Sequence, residues 1–341
     1  MDYSQGYTSS FYMTIIDPIS WADLGRIEII SGSINRSETD LRQSASLTLK
    51  SWDFEGDQWI RVYMVSEYNG NIERVPLFTG IATSPSTSYS NGVSTVTIQA
   101  YSVLKPAQDI ILQHGWYARR GISAETIIRD LLSVTHAPIV VNYNGAENRL
   151  ADDLVAEDNE SNASMLEWVL DAMSWVMYID GDGTIVFDRN PEYSDEPIDP
   201  VVTMAPYEND VIETSFTINH DWFECPNALR ATVNEMTAVA KDEDPDSPLS
   251  IQNRGREVWV VENNVDLLDD ETIAEYAKYR LGELQERYET VSYNRRFLPN
   301  VNVTNKIRLG YPELSGDFII ESQTITLGHA AVTQEQIKRS V

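Results

Sequence analysis

Residues 157–188 constrain the fold more than any other stretch, because they combine a helix start, an amphipathic helix and two strands around a tight turn. Asn159, Ser161 or Asn162 can cap the helix, since a short polar side chain accepts a hydrogen bond from a first-turn amide. The apolar residues that follow recur three or four positions apart, which predicts one buried helix face. They are Met165, Leu166, Val169, Leu170 and Met173, extended by Trp168 and Trp175.

A hairpin follows the helix. Residues 176–179 read as one strand, residues 180–183 as the turn, and residues 184–187 as the returning strand. The turn sequence is Asp-Gly-Asp-Gly, and Asp-Gly pairs tolerate the positive φ that tight hairpin turns require. We therefore expect a small structural module here, without a catalytic apparatus.

The two acids of the turn also resemble the start of a calcium-binding loop. Such a loop continues to a bidentate glutamate, whereas this segment runs into an apolar strand, so the calcium interpretation fails. We expect Asp180→Asn or Asp182→Asn to leave assembly nearly intact. Leu166→Asp or Val169→Asp should unfold the module, because each would bury an unpaired charge.

The charge of the chain limits its partners. The formal net charge is −28 and the isoelectric point is about 4.3. Tight binding to a phosphate backbone needs clustered basic residues, whereas Arg119–Arg120 and Arg295–Arg296 are isolated pairs. The acidity suits either solubility or a surface that does not adhere to DNA. No signal peptide or membrane-spanning stretch is apparent.

No catalytic, cofactor-binding or metal-binding residues emerge from the motifs, and no cofactor is expected. The four histidines lack zinc-site spacing, and they are His114, His136, His220 and His329. Cys225 has no neighbouring His–Asp arrangement and reads as a packing cysteine. No phosphate-binding loop, dinucleotide fingerprint or nucleophile elbow is present.

A carbohydrate-active or glycan-binding protein is the main alternative, because two carboxylates at a set separation suffice for glycoside hydrolysis. The nearest arrangement is Trp52 and Trp59 around Asp53, Glu55 and Asp57. A core tryptophan beside an acidic loop explains the same residues. A wall peptidase would need a His/Asp metal cluster that four scattered histidines do not supply.

Short alternating strands dominate both ends of the chain, which predicts small barrels or sandwiches. In residues 44–49, for example, Ala45, Leu47 and Leu49 share one face. A capped helix at residues 123–133 precedes the helix-and-hairpin module of residues 157–188. Asp269 or Asp270 can cap a later helix that continues to about residue 288.

The order of these elements resembles the tail baseplate hub proteins of long-tailed phages. That group includes the late control protein D family, the phage Mu hub and the hub part of type VI secretion spike proteins. The segments that carry the resemblance are residues 78–81, 95–104, 123–133, 159–170, 178–187 and 272–284.

The resemblance implies a mainly β, α+β fold with two small β-barrels and an inserted module. Residues 1–105 would form the first barrel, and residues 106–200 with 253–289 the α+β module. Residues 201–240 and 290–341 would form a second, discontinuous barrel, with residues 241–252 as a flexible acidic loop.

The resemblance also implies a non-enzymatic role in the virion. Three copies would form a pseudo-sixfold ring between the sixfold tail tube and a threefold spike or fibre. The expected partners are a tube or distal tail ring protein, the spike or fibre protein and a tape measure protein. DNA would pass the acidic lumen without specific binding, and no membrane insertion is expected. The chain stops at Val341, so piercing and wall digestion would belong to other chains. Assembly would take place in the bacterial host cytoplasm.

Overall fold

The computed structural model describes residue 3 and residues 7–340, apart from 54, 91, 143–147, 151–152, 192–197, 207–209, 221, 234–235, 264–271, 286–287 and 329–331. The fold is mainly β, as the sequence predicted. The chain divides into two compact units. Unit 1 comprises residues 1–216 and 292–337, and unit 2 comprises residues 217–291 and 338–341.

Unit 1 begins with six strands that pair side by side in a closed cycle. In chain order they are β1 (Thr8–Ile16), β2 (Asp23–Ser37), β3 (Gln43–Leu49), β4 (Gln58–Tyr68), β5 (Asn71–Ser90) and β6 (Val93–Ser102). Hydrogen bonding runs β1-β4-β5-β6-β3-β2, and β2 pairs back with β1. Alternating residues such as Ala45, Leu47 and Leu49 are buried, as their spacing predicted. The two predicted barrels stay a prediction.

The inserted module of unit 1 follows β6. Its elements are α1 (Lys105–Asp109), β7 (Tyr117–Ala118), α2 (Ala124–Leu131), a 3-10 turn (Ser133–Thr135), β8 (Ile139–Val141), β9 (Leu154–Val155), α3 (Asn162–Met173), β10 (Trp175–Ile179) and β11 (Ile185–Arg189). Strand β11 pairs antiparallel with β10 and parallel with β8. Helices α2 and α3 bury their apolar faces in one core with these strands.

Helix α3 begins where the sequence indicated. Ser161 caps it, and Ser161 and Ser164 form a reciprocal capping box. Ser174 adopts a left-handed conformation and ends the helix. The prediction that Trp168 extends the buried stripe is wrong, because Met165, Leu166, Val169 and Leu170 fill the buried face and Trp168 is 55% exposed. Trp175 is buried, but as the first residue of β10.

The remaining elements of the chain are β12 (Thr203–Met204), β13 (Ile212–His220), β14 (Ala228–Val233), β15 (Met236–Lys241), α4 (Ile251–Arg254), β16 (Trp259–Asn263), α5 (Ile273–Leu284), β17 (Tyr288–Arg296), β18 (Lys306–Tyr311), β19 (Leu314–Leu327) and β20 (Val332–Ser340). The order β2-β19-β20-β17-β13 continues the sheet of the closed cycle, and β18 links β12 to β19. None of the helices within the described residues is long and apolar enough to cross a membrane.

Unit 2 contains a separate three-stranded sheet in the order β15-β14-β16. Helix α5 packs on one side of it, where Leu229 and Ala231 meet Ala277 and Leu281. The sequence had grouped residues 201–240 with 290–341 and residues 253–289 with 106–200. The structure pairs β14 with β16 and packs α5 against them, because these segments bury their apolar faces on each other. The predicted domain boundaries stay a prediction.

Two sequence predictions in unit 2 concern loops. The proposed helix caps Asp269 and Asp270 lie outside the described residues, and Thr272 forms a capping box with Glu275 at the observed start of α5. In the acidic loop, Ser247 donates to Asp242 (2.6 Å), and Asn253 donates to the carbonyl groups of Pro245 and Ser247 (2.8 Å each). This loop therefore contains a local hydrogen-bond network that its composition alone did not indicate.

Candidate functional site

The histidines whose side chains the structure describes, His114 and His136, have separate surroundings. His114 is exposed and contacts Asp158, with 2.6 Å between Nδ1 and Oδ1. The carbonyl group of His136 accepts a hydrogen bond from the indole of Trp21 (2.9 Å). His220 lies in β13, and His329 lies outside the described residues. Within the described residues, no group of three or more His, Cys, Asp or Glu side chains could hold a metal ion.

The cysteine and the tryptophan–acid cluster have structural surroundings. Cys225 is half-buried in unit 2, and its Sγ donates to the carbonyl group of Leu284 (3.4 Å). In unit 1, Trp59 packs edge-on against Trp21, with 6.0 Å between ring centroids. Both rings also pack against the core of the module. Trp59 therefore joins the module to the six-strand cycle. This contact agrees with the interpretation of Trp59 as a core tryptophan, which needs no substrate.

One cleft of about 310 Å³ in unit 1 brings together two carboxylates that the sequence did not single out, Asp188 and Asp199. The first of them is already engaged, since Asn142 Nδ2 donates to Asp188 Oδ2 (3.0 Å) and the Arg189 amide donates to Asp188 Oδ1 (2.8 Å). These two hydrogen bonds indicate that Asp188 has a structural role.

The Asp-Gly-Asp-Gly turn is a docking contact between the module and β5. A Cβ atom at Gly181 would overlap the carbonyl oxygen of Pro76, so only glycine fits this close approach. Thr79 Oγ1 donates to the Gly181 carbonyl (2.8 Å), and Arg61 donates to the Asp182 carbonyl (3.2 Å). The turn is therefore more than local geometry, because it fixes the module on the sheet.

The two acids of this turn have different surroundings. Asp182 Oδ1 accepts from the Thr184 amide (2.9 Å) at the surface. Asp180 accepts from Asn302 Nδ2 (2.7 Å), and the side-chain oxygen Oδ1 of Asn302 accepts from the buried guanidinium of Arg36. Burial raises the pKa of Asp180 and the Asp182 charge raises it further, with Arg36 and Asn302 opposing this in part. Burial lowers the pKa of Arg36 to about 10.

A buried ion pair lies under the continuing sheet of unit 1. Arg295 Nη2 donates to Glu335 Oε1 (2.7 Å) and Arg295 Nε donates to Glu335 Oε2 (2.9 Å), with both side chains at most 1% exposed. Tyr293 Oη and Gln323 Nε2 also donate to this carboxylate. Burial alone would raise the pKa of Glu335, but Arg295 and the other donors hold that pKa below its ordinary value. The pair is thus fully hydrogen-bonded, which a buried charge requires.

On the opposite side of the same sheet, one area that spans five strands bears no charge. Three cross-strand rows run over β5, β6, β3, β2 and β19, and their residues are half-buried or exposed. The rows are Ile81–Tyr101–Ser44–Asn35–Thr324, Thr83–Gln99–Ser46–Ser33–Thr326 and Ser86–Thr97–Thr48–Ser31. We name this surface the hydroxyl face. Charged residues make up 23% of the chain, so a charge-free surface of this extent is unusual for it.

Sequence reasoning missed the hydroxyl face, although a signal for it was present. No charged residue occurs between Arg74 and Lys105. That stretch supplies β6 and most of β5. The strand register then adds Ser44, Ser46 and Thr48 from β3 to the same side.

Unit 2 has an open sheet surface of another kind. Opposite α5, the rows Val239–Arg230–Val261, Thr237–Thr232–Asn263 and Lys241–Ala228–Trp259 form a surface that we name the mixed face. Trp259, Val261 and Val239 are 43%, 44% and 53% exposed. Lys241 lies 5.1 Å from the Trp259 ring centroid and pairs with Glu257 (2.6 Å). Arg230 is the cation at the centre of this face.

Comparison with known proteins identifies the fold. No protein-family model and no curated protein matches the chain. The 43 kDa tail protein of prophage MuSo2 from Shewanella oneidensis is similar in structure, with a TM-score of 0.67, 13% identity, and coverage of 96% of this chain and 98% of that one. A tail protein from Neisseria meningitidis MC58 is also similar, with a TM-score of 0.65, 15% identity and coverage of 98% and 97%.

A third similar structure is a complex of two proteins, PdpA and VgrG. The Francisella PdpA–VgrG complex gives a TM-score of 0.56 at 11% identity, with coverage of 98% of this chain and 58% of that one. The resemblance drawn from the order of elements is thus confirmed at the level of the fold. The chain has the fold of phage tail proteins over essentially its whole length.

Proposed function

We propose that this chain is a structural hub of a phage tail baseplate or of a related contractile injection device. Three copies form a pseudo-sixfold ring that joins the sixfold tail tube to a threefold spike or fibre. One observation carries the proposal: two tail proteins share the fold over at least 96% of this chain and at least 97% of their own lengths. Similarity of that extent leaves little of either chain for an unrelated domain.

The partners follow from this position in the tail. The tube or a distal tail ring protein meets one side of the ring, and the spike or fibre protein and the tape measure protein meet the other. The net charge of −28 supports a negatively charged channel, because carboxylates repel DNA phosphates over about 8–10 Å at physiological salt. The hub assembles in the bacterial host cytoplasm, remains in the virion and performs no catalysis.

Native mass measurement of the purified chain tests the ring. A trimer has three times the mass of the 38.6 kDa chain. A ring interface should bury well over about 1,000 Å² per contact and therefore survive dilution. A chain that stays monomeric and is absent from purified tail particles would contradict the proposal. Sugar hydrolysis that is lost on Asp188→Asn would instead favour the glycan-active alternative.

A further inference from the structure

We infer that the mixed face of unit 2 binds an acidic surface on the next copy of this chain, and that this contact closes the ring. The inference rests on the proposed function, because it assigns an interface within the proposed trimer. The partner is defined by its chemistry, namely carboxylates that meet Arg230 and apolar side chains that cover Val239 and Val261.

The composition of the mixed face is that of a protein interface. Trp and Arg are the residues that most often contribute a large share of binding energy, and contiguous exposed apolar side chains mark contact surfaces. In the central row, β14 places Arg230 directly between Val239 and Val261. A carboxylate that reached Arg230 between these two valines would be shielded from water, which strengthens the pair.

Charge decides which partner fits. The chain has 53 Asp and Glu against 25 Lys and Arg, so the surface of a second copy offers an excess of carboxylates. A twofold contact of the mixed face with itself would bring two Arg230 side chains together, and like charges oppose that arrangement. Contact with a different, acidic surface is heterologous, and heterologous contacts close into rings when the rotation permits.

The packed layer behind the mixed face makes this face a suitable docking surface. Leu229 and Ala231 point to the other side of β14, where α5 covers them. The rows of the mixed face are therefore held by strand pairing and by a packed core. A partner meets a preformed surface, which lowers the entropy cost of binding.

The test compares Arg230→Glu with Arg26→Glu. Both variants reverse one exposed arginine, but Arg26 lies on β2 of unit 1, where it stacks 4.1 Å from the Tyr12 ring centroid. A third variant, Val261→Thr, keeps the charge and the β-branched shape while it removes apolar surface. Circular dichroism and thermal unfolding of all variants establish that each is folded, and native mass spectrometry with sedimentation over a dilution series gives the dissociation constant of the trimer.

We expect Arg230→Glu to weaken the trimer at least about 30-fold, which corresponds to a hot-spot loss of about 2 kcal/mol. Val261→Thr should weaken it less, and Arg26→Glu should match the wild type.

A folded Arg230→Glu variant that trimerises as tightly as the wild type would overturn the inference and leave the proposed hub function standing. Equal weakening by Arg26→Glu would also overturn it, because only net charge would then matter. A wild-type chain that stays monomeric at its highest soluble concentration would overturn the inference too. The proposed function would then depend on whether the chain is found in tail particles.

Discussion

The two open sheet faces of this protein have opposite compositions. The hydroxyl face of unit 1 has mostly Ser, Thr, Asn and Gln side chains, with Ile81 and Tyr101 in one row, and no charge. The mixed face of unit 2 has Trp259, Arg230 and two valines. A surface without cations cannot displace the counterions that surround DNA phosphates, and this one offers a protein partner few apolar anchors. We therefore assign the proposed contact between copies to the mixed face, which combines an aromatic ring, a cation and apolar side chains.

The buried side chains behind the two faces also differ in composition. Behind the hydroxyl face and its continuing sheet, unit 1 buries the charged groups Arg36, Arg295 and Glu335. Behind the mixed face, unit 2 has a small apolar core of Leu229, Ala231, Ala277 and Leu281. Unit 1 therefore buries charged groups beside its apolar core, whereas the core of unit 2 comes from the packing of one helix on a sheet.

The largest effect should come from breaking the buried ion pair of unit 1. Glu335→Gln leaves the Arg295 guanidinium buried without its counter-charge, which costs about 3–5 kcal/mol. Urea unfolding should show this loss in unit 1, and Glu321→Gln in the same sheet is the matched control. A loss equal to that of the control would mean that the pair contributes little.

Lowering the pH should also test the contribution of the Arg295–Glu335 pair to stability. The folded-state pKa of Glu335 is lowered, so its contribution to stability is present above the unfolded pKa of about 4.3. That contribution disappears as the pH falls through the lower folded-state value. Unfolding measured between neutral pH and acid should therefore show a loss of stability in the wild type that is smaller in Glu335→Gln. The same loss in both proteins would exclude Glu335 as its source.

Leu281→Ala should have the next largest effect, and it should act on unit 2. Removing a buried leucine costs about 2–5 kcal/mol because it leaves a cavity between α5 and the sheet. Lys278→Ala on the exposed side of α5 is the control. Hydrogen exchange should locate the loss of protection in β14–β16, and a loss spread evenly over both units would contradict the division into units.

The local parts of this fold could be predicted from the sequence, and the long-range contacts could not. The Ser161 cap and the Asp-Gly turn are signals within a few residues, so α3 and the hairpin were located correctly. The hydrogen bond between Asn302 and Asp180 joins residues 122 positions apart, and nothing in the sequence around either residue indicates this pairing. The hydroxyl face required the register of five strands, although the charge-free stretch between Arg74 and Lys105 was visible.

A smaller effect is expected at the docked turn of the module. Asp180→Ala leaves the buried amide of Asn302 without its acceptor, which costs about 1–3 kcal/mol. Asp180→Asn keeps an acceptor oxygen but removes the negative charge that favours the buried Arg36 cation, so it should cost less than Asp180→Ala and more than Asp182→Asn. Asp182→Asn at the surface is the control. Thermal unfolding distinguishes them, and equal losses for Asp180→Ala and Asp182→Asn would refute the buried role of Asp180.

The smallest effect should come from the hydroxyl face. Thr326→Glu adds a charge at an exposed position of β19, and surface changes of this kind stay within about 0.5 kcal/mol. Thermal unfolding and native mass should both match the wild type. Loss of the trimer in Thr326→Glu with retention in Arg230→Glu would reverse the roles assigned to the two faces.

A density map of the assembled tail, with this chain located by its fold, tests the hub proposal most directly. The account predicts three copies in a ring at the end of the tail tube, with the mixed face of each copy against an acidic surface of the next. A chain that lies elsewhere in the particle, or that occurs as a single copy at the tube end, would contradict it.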